Sequence, residues 1–209
     1  MDVDAVEIRV LGCLIEKQRT TPDAYPLSLN ALRLACNQAT NRDPVVAYEE
    51  REIKAALDRM SNRGWTRFAS GVSSRALKYR QLLNEALGLS ESEISLLGVL
   101  MLRGPQTVGE LKQRSERLHR FGSVAEVAEV LDGLTQRELV ARLERRPGQK
   151  EERWQQLLGG DAEPAAESAA PPVPGEGADR LGAIEERLER LEGAFDELIA
   201  RLDKVPDRE

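Results

Sequence analysis

The sequence predicts a mainly α fold with small β-hairpins (α+β), laid down twice in tandem and followed by a coiled-coil helix. Three observations predict it. Glu7 to Leu14, EIRVLGCL, returns as Glu93 to Leu100, EISLLGVL, with five of eight residues identical at an offset of 86. Behind each copy the apolar period changes from about 3.6 residues to 2. Near the C-terminus, apolar residues alternate intervals of three and four, the signature of a heptad seam.

In each copy the first helix has apolar residues at helical spacing: Val6, Val10, Cys13 and Leu14, then Ile94, Leu97, Leu100 and Met101. Ser90 and Glu93 form a capping box that fixes the second start. The second helix begins after Ser28 in one copy and Thr107 in the other, where Thr107 and Glu110 again fit a capping box. The third runs from about Tyr48 to Asn62 and from Val124 to Gln136, with LDRM at Leu57 matched by LDGL at Leu131. Alternating segments then flank turn residues: WTRFA and ALKYRQL around Gly71, LVARL and ERWQQL around Pro147 and Gly148. Lys78 to Leu83, KYRQLL, thus returns as Arg153 to Leu158, RWQQLL. Three helices followed by a hairpin is the winged-helix order, so two tandem winged-helix domains are expected at 1–88 and 89–158.

The stretch LGCLIEKQRTTPDAYPLSLNALRLACNQATNRDPV, with KYRQ and the later MLRGPQT at Met101 to Thr107, resembles the bacterial YceH family of tandem winged-helix proteins. The resemblance covers about Val6 to Leu158. It implies a fold and no particular activity.

Residues 159–178, rich in Ala, Pro, Gly and acids, cannot bury enough to fold and are expected to form a disordered linker with a span of roughly 25 Å. In 179–204, Leu181, Ile184, Leu188, Leu191, Phe195, Leu198 and Leu202 form an a/d seam, about 33 Å of helix. Arg180 and Arg187 at g oppose Glu185 and Glu192 at e, which favours parallel self-association into a homodimer or trimer. The alternative is an amphipathic helix folded back onto its own domains.

Charge and composition bound the function. Of the 209 residues, 41% are hydrophobic and only 4% aromatic, enough for modest aliphatic cores. The net charge of −6 divides into +2 for 1–88, 0 for 89–158 and −8 thereafter, so the acidity belongs to the tail. No secretory signal or run of 18 apolar residues is present, and a soluble cytoplasmic protein with no membrane contact is expected. Cys13 and Cys36 lie in apolar stripes as core thiols, and His119 is the only histidine. With no Gly-rich phosphate loop, metal cluster or paired nucleophile and base, no catalytic residue, metal or cofactor is assigned, and an enzyme is not expected.

Double-stranded DNA is the expected partner, through the hairpin wings and the segment before the third helix of copy one. Wing one offers Arg67, Arg75, Lys78 and Arg80 with no acid from Trp65 to Arg80; wing two offers Arg142, Arg145, Arg146, Lys150 and Arg153, interleaved with Glu144, Glu151 and Glu152. KQRSERLHR adds Lys112, Arg114, Arg117 and Arg120. Such cations neutralise phosphates without reading sequence. Base reading would fall to CNQATNRDP, where Asn37, Gln38, Thr40, Asn41 and Arg42 are the side chains that pair with base edges. The same residues equally build Asx and ST turns, and Pro44 forces an extended residue before it. In the third helix of copy one Glu49, Glu50, Glu52 and Asp58 balance Arg51, Lys54, Arg59 and Arg63, with acids crowding its first turns. That of copy two has Glu126, Glu129 and Asp132 with only Arg137 at its end, a charge that phosphates would repel. The expected function is therefore a dimeric DNA-associated protein, regulatory in role, with a protein-interaction adaptor as the alternative.

Overall fold

Helix α1, Ala5–Thr20, begins where the sequence supplies its own cap: Asp4 accepts from the Glu7 amide while Glu7 accepts from the Asp4 amide. The computed structural model describes residues 3–69, 77–145 and 151–159. A 3₁₀ turn at Pro22–Ala24 and the short strand β1, Leu27–Ser28, lead into α2, Leu29–Cys36, whose first turn is capped by the Ser28 hydroxyl. Helix α3, Glu50–Asn62, buries Ile53, Ala56, Leu57 and Met60 on one face. Strands β2, Thr66–Ala69, and β3, Lys78–Gln81, follow, and β1 joins them in an antiparallel sheet ordered β1-β3-β2.

After the short α4, Leu83–Leu87, the same order repeats with α5, Glu91–Arg103, α6, Val108–Ser115, α7, Val124–Gln136, β4, Val140–Leu143, and β5, Arg153–Gln156. The expected capping boxes at Ser90 and Thr107 are both formed. The two halves match down to single hydrogen bonds. Gln81 Oε1 accepts from Leu83 N at 2.7 Å, and Gln156 Oε1 from Leu158 N at 2.8 Å. Trp65 N donates to Met60 O at 2.9 Å, and Leu139 N to Leu134 O at 3.0 Å. Where the first half has β1, the second has a lone bridge between Gln106 and Trp154 just before its second helix. Among the described residues, the chain is thus mixed: mainly helical with small antiparallel sheets.

The repeated EI..LG.L segments face each other. Helices α1 and α5 pack together, and the core they share runs unbroken through both halves. Gly12 and Gly98, equivalent in the repeat, each sit against a side chain of the opposite helix. Cys13 and Cys36 are buried and free, as expected of core thiols. A hydrogen bond with Cys13, then burial, pushes the Cys36 thiol up.

Two elements were not anticipated: the strand β1 and α4. β1 is two residues long and exists because Leu27 and Ser28 pair with Tyr79 and Lys78, a long-range contact without local periodicity. The Tyr25 hydroxyl accepts from Gln81 N at 2.7 Å and pins the segment to the sheet; burial pushes this phenol up to about 12. The proposed linker beyond Gly159 and the heptad residues Leu181, Ile184, Leu188, Leu191, Phe195, Leu198 and Leu202 lie outside the described residues, as do Arg75, Arg146 and Lys150.

Candidate nucleic-acid interface

The segment Cys36 to Pro44 is held to the first half by buried arginines. Arg9, in the middle of α1, donates to Cys36 O and Pro44 O at the two ends of the stretch. Arg42 turns inward, with its side chain fully excluded from solvent. It forks onto Glu16 of α1 at 2.6 and 3.1 Å and also donates to Ala35 O, Asn41 O and Gln38 Oε1. The expectation that Arg42 faces a groove is therefore corrected: every donor direction it has is taken up inside the fold. Asn37 makes a two-way bond with the Tyr48 backbone, donating to its oxygen and accepting from its nitrogen, each at 2.9 Å. Gln38 is spent on Arg42. Asn41, at a φ of 61°, accepts from Arg103 Nη2. Of the five proposed base readers, Thr40 and Asn41 are exposed.

The cations of α3 are compensated one by one. Lys54 pairs with Asp58 at 2.6 Å, Arg51 with Glu49 at 2.9 Å, and Arg59 with Asp4 and Glu7. Arg63 reaches the buried Glu7 at 2.9 Å. Helix α7 exposes Glu129 and Asp132, with no basic residue until Arg137 caps its end and turns back to Glu93.

The hairpins differ. In the first, Arg67 is exposed and Lys78 half-buried, neither within ion-pair distance of a carboxylate among the described residues, while Arg80 pairs with Glu85 at 2.9 Å. Arg67 and Arg80 lie opposite each other across β2 and β3, on the same face. In the second, Arg142 pairs with Glu152 and Arg153 with Glu110, each at 3.1 Å. Arg145 remains exposed. The uncompensated positive charge in the described hairpins thus lies on Arg67, Lys78 and Arg145.

Sequence reading missed the buried partners. Arg9 interrupts the apolar run of EIRVLGCL, and that interruption was its signal. Glu16 carried none, because its partner lies 26 residues ahead.

Comparison with known proteins finds a family model described as "Protein of unknown function, DUF480" matching residues 3–149. A UPF0502 protein of Geobacter metallireducens is 49% identical over 195 residues, covering 91% of this chain and 87% of the relative. One from Solibacter usitatus is 46% identical, covering 93% and 95%. The UPF0502 protein YceH of Escherichia fergusonii is 43% identical, covering 96% and 98%.

Proposed function

We propose a function for a chain that belongs to the DUF480 (UPF0502, YceH) family: a cytoplasmic, non-enzymatic DNA-associated regulator that grips the phosphate backbone and does not read bases through a recognition helix. Each half, three helices and a hairpin, is taken as a winged helix. The observation that carries the reading is the uncompensated pair Arg67 and Lys78 on the first hairpin, against an α3 whose cations are all paired and an α7 that has none. Cations free of carboxylates release counterions on meeting phosphate; paired ones must first give up a partner. Self-association through the heptad seam would raise the local concentration of hairpins on one duplex.

A second reading, a protein-interaction adaptor, is favoured by Leu34 and Val45, which are 57% and 60% exposed near the ends of α2 and of the arginine-held segment. Large exposed apolar side chains flanked by polar ones mark contact surfaces when they form a patch.

Fluorescence anisotropy with a random-sequence duplex separates the two. Under the DNA reading, Arg67→Glu with Lys78→Glu abolishes binding at low salt while Leu34→Ser leaves it intact. Wild-type affinity in the double variant would overturn it. Loss of cross-linked partners in cells on Leu34→Ser alone would favour the adaptor.

A further inference from the structure

A cleft of about 440 Å³ opens between the C-terminal ends of α1 and α5 and helix α6. Its wall includes Arg103 at the last turn of α5 and Arg114 and Arg117 from α6 and its end, with Glu16 the only acid among the described residues that line it. Glu16 is already neutralised by the two-pronged bond from Arg42. Arg114 shares Glu110 with Arg153, at 3.6 and 3.1 Å, and also donates to Gln106. Arg103 has only a neutral partner, the Asn41 amide oxygen, and Arg117 has no carboxylate in reach among the described residues. Two guanidinium groups therefore line one concave space without a direct ion-pair partner among the described residues.

Arg103 is half-buried and Arg117 exposed at the cleft, so both keep donors available to an incoming anion. Burial, and then the neighbouring Arg114, pulls the Arg103 pKa down, against the smaller upward pull of Glu16 and Glu110. Guanidinium forks match the paired oxygens of a phosphoryl group, and the volume lies in the range of small-molecule sites. The buried side chains of Val99 and Leu102 give the cleft an apolar floor.

We propose that this cleft binds a small phosphorylated molecule, its phosphoryl oxygens held between Arg103 and Arg117. The site joins both halves, since Asn41 orients Arg103 from the first half while Arg117 belongs to the second. It is separate from the hairpin cations on which the DNA reading rests.

The test is isothermal titration calorimetry on the full chain with inorganic pyrophosphate, ADP and citrate. Saturable pyrophosphate binding is expected, weakened at least about tenfold by Arg117→Gln and by Arg103→Gln. The control Arg120→Gln, at an exposed residue directed to Glu116, leaves it unchanged. Tighter binding of ADP assigns the phosphate to a nucleotide; equal binding assigns it to the phosphoryl groups alone. Because Arg117 is exposed, circular dichroism of that variant is expected to match wild type. Absence of saturable pyrophosphate binding, full binding by Arg117→Gln, or equal binding of citrate overturns the proposal. So does a result in which Arg117→Gln weakens duplex DNA while the wild type ignores pyrophosphate.

Discussion

A methyl group on Gly98 would stand 2.9 Å from Cγ2 of Ile15, across the packing of α5 on α1. Its repeat-mate Gly12 is placed the same way, 2.8 Å from Cγ of Leu102. These two glycines set how closely the first helices of the halves approach.

Gly12→Ala and Gly98→Ala are therefore each expected to destabilise the chain, because overpacking by about 1–3 kcal/mol outweighs a helix-propensity gain of about 1 kcal/mol. Gly133, inside α7 with nothing near its missing side chain, supplies the internal control. Gly133→Ala raises stability by up to about 1 kcal/mol. Urea melts of the three variants check this, and a stabilised Gly98→Ala would show a looser helix contact.

Glu16→Ala leaves the Arg42 guanidinium buried without its counter-ion, and a loss of about 3–5 kcal/mol is expected. Replacing both, as Glu16→Leu with Arg42→Met, recovers most of that loss, since a packed apolar pair avoids desolvating two charges. Denaturant midpoints of the single and double variants measure the recovery.

The Glu93 carboxyl is partly buried, which alone would raise its pKa. The Ser90 amide and hydroxyl and the Arg137 guanidinium outweigh burial and hold it below the usual carboxylate value. Its contribution to stability is complete above the unfolded value of about 4.3 and is lost as pH falls through the lower folded value. Glu93→Gln should cost stability at pH 7 and progressively less on acidification below about pH 4. A gap from wild type that stays constant down to pH 2 would refute this assignment.

If Arg67 and Lys78 contact phosphates, removing both as Arg67→Ala with Lys78→Ala flattens the salt dependence of duplex binding. The slope of log K against log salt should fall by about 1.8. Arg80→Ala is expected to change it less, because Arg80 is committed to Glu85.

The helices and hairpins were legible because their signals are local. Capping at Ser90 and Thr107, the apolar faces of α3 and α7, and the switch to a period of two at Thr66 and Val140 all lie within a few residues of the element they specify. What was not legible depends on partners distant along the chain. CNQATNRDP is polar in composition, yet Arg42 is inside because Glu16 and three backbone or amide oxygens wait for it there. The cleft escaped for the same reason: Arg117 is legible as a cation of KQRSERLHR, but nothing local pairs it with Arg103 until the fold brings both to one wall.

The contact of α1 with α5 is reciprocal: Gly12 meets Met101 and Leu102, while Gly98 meets Ile15, the repeat counterpart of Met101. In a symmetric dimer this would be an isologous interface, the same patch used by both partners. Joined in one chain, such an interface is no longer bound by identity, because each side is encoded separately. A substitution in one helix is met by a partner that can compensate alone, and the outward surfaces are released from copying each other. The paired charges of α3 and the acids without basic partners on α7 differ in this way around a matching centre.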